Sequence, residues 1–196
     1  MKPTNSVLSS FGTTIFEVMS RLAIEHKSVN LGQGFPDGNG PDDVRAAAHD
    51  ALDNSPNQYP PMMGVPELRQ AIADHNKRFY DIDVDWQRET IVASGATEVL
   101  AAALFGLLDQ GDEVIMFEPL YDSYIPIARL AGATVKLVRL EPPHWRVPLD
   151  KLEAAFGPKT KAVLINSPLN PAGKVFTLAE LDAVAALVKE HDCYAI

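Results

Sequence analysis

Cysteine is almost missing. Cys193 stands alone in 196 residues, which excludes an internal disulfide and a cysteine-rich zinc site and suits a reduced, cytoplasmic setting. Basic residues are also scarce. Lys plus Arg total 17 against 26 Asp plus Glu, for a net charge of −9. That balance argues against general nucleic-acid binding and against anionic membrane surfaces. The five histidines, His26, His49, His75, His144 and His191, never fall four residues apart, so no local two-histidine metal site is expected. No apolar run approaches the ~20 residues that span a bilayer. The opening MKPTNSVLSSFGTTIF lacks the apolar stretch and cleavage site of a secretory signal. Repeats and low-complexity tracts are absent. What is there is ordinary globular material, 46% hydrophobic and 22% charged, long enough to hide roughly 70% of the unfolded surface.

Two rhythms divide the chain. Ile15, Val18, Met19, Leu22 and Ala23 follow the spacing of one helical face and predict an amphipathic helix over 14–26. Residues 31–40, LGQGFPDGNG, are loop chemistry. Pro41 is expected to open a helix to about residue 52, and Pro66 another through residue 80, because proline suits the first helical position. From residue 89 strands and helices alternate. Strands are expected at 90–93, 113–117, 134–138, 162–165 and from 194. Helices are expected at 95–108, 122–130 and 150–156, with a last one capped by Thr177. The 95–108 helix is apolar enough to predict burial. Thr177 and Glu180 form a capping-box pair, and Leu181, Val184, Ala185 and Val188 the buried stripe behind it. Such alternation predicts an α/β fold with a mostly parallel sheet covered on both faces. Ligands of that architecture sit at the C-terminal ends of strands.

Three loops stand at such ends. Ser94-Gly95-Ala96-Thr97-Glu98 opens a helix, whose free N–H groups and dipole suit an anion such as phosphate. Glu118-Pro119-Leu120-Tyr121-Asp122-Ser123-Tyr124 offers aromatics able to stack on a flat ring. Asn166-Ser167-Pro168-Leu169-Asn170-Pro171-Ala172-Gly173-Lys174 is a turn with two X-Pro bonds, either of which is open to the cis form, and it aims an amide in a fixed direction. Each alone is ordinary turn chemistry. Together they suit a flat, phosphorylated, polar heteroaromatic ligand. The G-x-G of residues 32–34 is not a dinucleotide fingerprint: no strand precedes it, and Pro36 blocks a following helix.

The blocks GTTIF (12–16), NLGQGFPDG (30–38), NQYPPMMGVPELR (57–69), SGATE (94–98), EPLYDSY (118–124) and NSPLNPAGKVF (166–176) resemble, in order and spacing, the fold type I pyridoxal-phosphate-dependent aminotransferases of class I/II. The likeness runs from about residue 12 to 196 and is strongest to the bacterial methionine and kynurenine–oxoglutarate aminotransferase group. It implies an N-terminal arm with part of a small domain at 1–40 and an incomplete large cofactor-binding domain at 41–196. It also implies roles. Gly95, Ala96 and Thr97 would hold the phosphate of pyridoxal 5'-phosphate. Tyr121 would stack on its ring, and Asn170 would hydrogen-bond its phenolic oxygen. Tyr59 would reach the phosphate of a neighbouring subunit in a homodimer. Gly34 and Asn166 would serve the substrate carboxylate, while Ile15, Phe16 and Tyr124 would line the substrate pocket.

The family is about twice this length. Its Schiff-base lysine, the aspartate that meets the ring nitrogen and a nearby tyrosine are expected beyond Ile196. The family lysine usually stands in a Ser-x-x-Lys context, which this chain lacks, and Lys174 belongs to a segment the family keeps beside that lysine. No catalytic residue is therefore assigned here, and residues 1–196 alone are expected to be inactive and poor at folding alone. The resemblance implies transamination between an L-amino acid of methionine or aromatic type and a 2-oxo acid. A carbon–sulfur β-lyase on the same scaffold, and a non-catalytic half-protein that binds a partner, are the alternatives.

Overall fold

The computed structural model describes every residue except Met1, Phe35 and Asp37. Phe35 and Asp37, within the 30–38 block, thus lie outside the described residues. The chain forms two compact units, Thr13–Gly95 and Met1–Gly12 with Ala96–Ile196.

Three helices build the Thr13–Gly95 unit: α1 (Ile15–Glu25), α2 (Asp42–Asn54) and α3 (Pro66–Tyr80). Thr14 caps α1, its side chain accepting the Glu17 N–H, as residues of its type do. Pro41 is extended and precedes α2 instead of occupying its first turn. The helical positions after it go to Asp42 and Asp43, whose charges suit the positive helix end. Pro66 does open α3, which ends at a left-handed Asp81.

The core of this unit is organised by a buried cation. Arg69 on α3 is 7% exposed. Its Nε donates to Thr90 O at 3.0 Å, and its Nη2 to Trp86 O at 2.6 Å and Gln87 O at 2.9 Å. Its guanidinium lies 5.4 Å from the Trp86 ring centre. The planar fork suits several carbonyls in fixed directions. Residues 90–93 run on from this clamp, but they are not the expected strand. A β-like run becomes a strand only against another extended backbone, and here Val92 N–H donates at 3.0 Å to Met63 O, which lies in a turn.

The other unit is a layered α/β structure. α4 (Ala96–Leu107) leads to β1 (Glu113–Glu118), α5 (Tyr124–Leu130), β2 (Thr134–Arg139), α6 (Leu149–Ala155), β3 (Thr160–Leu164), α7 (Leu178–Glu190) and β4 (Tyr194–Ala195). The sheet order is β2-β1-β3-β4, and all three pairings are parallel. Glu113 to Glu118 of β1 lie in register with Thr134 to Arg139 of β2. Alternation along β1 sorts the core. Val114 and Met116 join Leu104, Ile127, Ala128, Ala162 and Leu164 on the α4/α5 face. Ile115 and Phe117 join Val138, Leu152, Val163 and Val184 on the α6/α7 face. Both faces are covered, as the run of apolar strands requires.

Two burial expectations fail. α4 is apolar all round, yet Leu104 is its one buried residue, and Phe105 is 53% exposed. Only the stripe that meets the sheet loses its water. On α7 the buried residue is Val184, flanked by half-buried Leu187 and Val188. Leu181 and Ala185 lie exposed, because the strands reach only one narrow face of this helix. Its capping box is present in full.

Strand order decides where a ligand fits. β1 passes through α5 to β2 on one side, while β3 pairs on β1's other side after a crossover through α6. The loops leaving β1 and β3 therefore diverge to opposite faces of the sheet. Such a switch point leaves a crevice beyond the strands' carboxyl ends.

Candidate active site

The loop after β1 brings two tyrosines together. Tyr124 begins α5, two residues later than expected for that helix, and its ring meets Tyr121 edge to face at 5.7 Å. Tyr124 is 8% exposed. Burial pushes its phenol above the ordinary value, and the neighbouring Tyr121 adds to the shift. Tyr121 is half-buried against the α4/α5 core, beside Leu120.

The loop after β3 is closed by its own hydrogen bonds. Asn166 Oδ1 accepts the Asn170 N–H at 2.7 Å. Leu169 N–H donates to Lys174 O at 2.8 Å, and Gly173 N–H to Leu169 O at 2.7 Å. Ser167–Pro168 and Asn170–Pro171 are both cis. Leu169 anchors the loop in the core, while Asn170 is exposed. Met116, Tyr124, Leu164, Asn166 and Leu169 come together between the two strand ends. The structure thus brings Tyr121, Tyr124, Asn166 and Asn170 to one end of one sheet.

The third loop is the entry to α4. Gly95 has φ +86° and open space where a Cβ would stand. Ala96 and Thr97 form the exposed first turn, where N–H groups have no intrahelical acceptor. In the Thr13–Gly95 unit, Ile15 and Gly34 are exposed, Phe16 is half-buried, and Tyr59 is 95% exposed in a left-handed turn with φ +47°.

One feature beside the β3 loop escaped the sequence reading. Lys174 Nζ lies 2.8 Å from Glu180 Oε2, with the side chains 7% and 14% exposed. Burial alone would raise the Glu180 carboxyl. Hydrogen bonds from Lys174, the Thr177 and Val147 N–H groups and the Thr177 hydroxyl outweigh it and lower the value from 4.5 to about 2. Glu180 was legible as a cap, but six residues is not a helical pairing distance. Arg69 was likewise quoted only as the end of a motif.

Among the described residues no cluster of His, Cys, Asp and Glu is arranged to hold a metal ion. Nor, among them, is any helix long and apolar enough to cross a membrane.

Residues 26–196 match the family described as aminotransferase class I and II. The chain belongs to that family. The probable N-succinyldiaminopimelate aminotransferase DapC of Mycobacterium tuberculosis is 45% identical over 186 residues, covering 94% of this chain and 47% of the relative. The methionine aminotransferase of Escherichia coli is 41% identical over 191 residues, covering 97% and 50%. The human kynurenine–oxoglutarate transaminase 1 is 37% identical, covering 90% and 45%. The solved structure of the mycobacterial N-succinyldiaminopimelate aminotransferase matches with a TM-score of 0.94 at 43% identity, covering 98% of this chain and 51% of that one. The chain thus spans about half the length of the curated relatives it matches, and its fold is that of the class I/II aminotransferases.

Proposed function

We propose that the protein, in a form carrying the family's full length, transfers the amino group of an L-amino acid to a 2-oxo acid with pyridoxal 5'-phosphate as cofactor. The observation that carries this reading is the crevice that the diverging β1 and β3 loops leave at the sheet's switch point, with Tyr121, Tyr124, Asn166 and Asn170 at that end. Family membership supports the cofactor, and the donor set fits it. An N-terminal helix turn opened by an unobstructed glycine suits a phosphate. An aromatic and an aimed amide suit the face and the phenolic oxygen of a flat ring.

In this reading Gly95, Ala96 and Thr97 hold the phosphate, Tyr121 lies against the ring, and the Asn170 amide donates to the phenolic oxygen. Asn166 and the Gly34 N–H orient the substrate carboxylate. Ile15, Phe16 and Tyr124 wall the side chain and exclude water. Tyr59, almost wholly exposed, reaches a neighbouring subunit's phosphate in a cytoplasmic homodimer. Residues 1–40 are assigned to the arm and small domain, and 41–196 to the large domain. When bound, pyridoxal phosphate supplies the carbonyl that accepts the amino group and the ring that withdraws electrons from the Cα bond.

Methionine and aromatic amino acids are the proposed donors, and the mycobacterial relative's name adds N-succinyldiaminopimelate. The test is turnover by the full-length protein with each donor and 2-oxoglutarate. Formation of the donor's oxo acid, dependent on both the cofactor and the acceptor, is expected. Failure with every pairing overturns the reading. Release of pyruvate from a cysteine conjugate without an acceptor would replace transamination with β-elimination.

A further inference from the structure

Two segments, residues 174–180 and the chain at Val147, meet at one carboxylate. Glu180 Oε2 accepts the Thr177 N–H at 2.9 Å and the Thr177 hydroxyl at 3.1 Å. It also accepts Lys174 Nζ at 2.8 Å. Glu180 Oε1 accepts the Val147 N–H, 33 residues earlier, at 3.0 Å. Thr177 accounts for the helix cap alone. A cap needs no buried cation, and burying an ion pair yields little net stability over apolar packing. Capping alone therefore does not account for the pair.

The β3 loop supplies that reason. Lys174 is the residue whose backbone carbonyl accepts the Leu169 N–H and closes the turn containing Asn170. Asn166 fixes the opposite end by accepting the Asn170 N–H. Leu169 is already held by the core. Without Lys174's side chain, the closing end of the turn is held by hydrogen bonds within the loop itself, to Leu169 and from Phe176 N–H to Ser167, and, among the described residues, by no side-chain hydrogen bond to another element. With it, that end is tied to the start of α7 and to the Val147 segment.

We infer that Lys174 and Glu180 are positioning residues for Asn170, an ion pair that holds the turn so that its amide points one way before any ligand arrives. The inference rests on the proposed contact between Asn170 and the cofactor ring. Fixing a donor in advance removes ordering entropy from the binding step.

The test uses the full-length protein loaded with pyridoxal phosphate. The variants are Asn170→Ala, Lys174→Met, Glu180→Gln and the double variant Lys174→Met/Glu180→Gln. Glutamine keeps the capping box, so α7 is retained. The double variant leaves no unpaired buried charge, so it remains usable if a single variant fails to fold. Two quantities are read: the midpoint of the pH-dependent change in the bound cofactor's visible absorbance, and the cofactor dissociation constant. Asn170→Ala shifts the midpoint, because a donor to the phenolic oxygen biases its ionisation. The pair variants are expected to shift it in the same direction and to weaken retention about tenfold, the worth of a misaimed hydrogen bond to a charged group. The double variant is expected to recover melting temperature but not the midpoint. If it recovers both, or if the pair variants lower only the melting temperature, the pair is structural and the inference fails. If Asn170→Ala shifts nothing, the cofactor role of that loop fails and the positioning role falls with it. A wild-type protein that binds no pyridoxal phosphate overturns the proposed function itself.

Discussion

The N–H of Val92 donates to the carbonyl of Met63 at 3.0 Å, so the segment that leads to Gly95 is fastened to the Pro61–Gly64 turn that follows Tyr59. Gly64 makes the fastening possible. It has φ +100°, and a Cβ there would lie 2.7 Å from Val92 Cγ2. Gly64→Ala combines a forbidden backbone with an overpacked contact. Urea unfolding is expected to show a loss of about 2–4 kcal/mol. A loss below about 1 kcal/mol would mean the two segments slide apart freely.

Arg69→Met is expected to destabilise the protein by about 2–4 kcal/mol, because three carbonyls lose their donor in a buried site. Those carbonyls belong to Trp86, Gln87 and Thr90. Arg69→Lys should recover less than half of the loss, since an ammonium lacks the planar fork. The comparison of the two variants by chemical denaturation decides the point. Full recovery by lysine would assign the clamp to charge alone.

Glu180 gives the acid limb of the stability curve a specific owner. Its carboxyl titrates at about 2 when folded against an ordinary 4.5. A lowered value contributes stability that is complete above about 4.5 and is lost as pH falls toward 2. The expected size is roughly 3 kcal/mol. Glu180→Gln should flatten that part of the pH–stability profile. An unchanged acid slope in the variant would place the effect on other carboxylates.

Gly95→Ala should behave unlike Gly64→Ala. At Gly95 the added methyl meets open space, and only the backbone with φ +86° resists it. The cost to unfolding is expected near 1 kcal/mol. Retention of pyridoxal phosphate by the full-length protein should fall about tenfold as the turn rotates away. Equal retention in dialysis would mean that the phosphate does not depend on this turn.

Local signals were the most legible. Thr177 and Pro66 mark two helix starts through side chains that act within a few residues of themselves. The parallel sheet followed from strand–helix alternation. What stayed hidden depends on distant chain. Residues 90–93 have strand chemistry but lie against a turn. The apolar surface of α4 says nothing about which stripe the sheet will cover. The Lys174–Glu180 pair and the Arg69 clamp join groups at no helical or strand spacing. The site loops were found because strand ends are predictable. The contacts that stiffen them were not, because they arise only once the loops are folded.

The switch point between β1 and β3 is made by backbone order, before any side chain at its mouth is chosen. Asn166 and Asn170 hang from the loop after β3, outside the apolar residues that hold the strands, whereas Tyr124 is one of those residues and Tyr121 packs on them. Substitutions at the two asparagines therefore leave the sheet's folding free energy largely alone. A lineage with this scaffold is able to change what the loop after β3 binds by small steps, each viable, without passing through an unfolded ancestor.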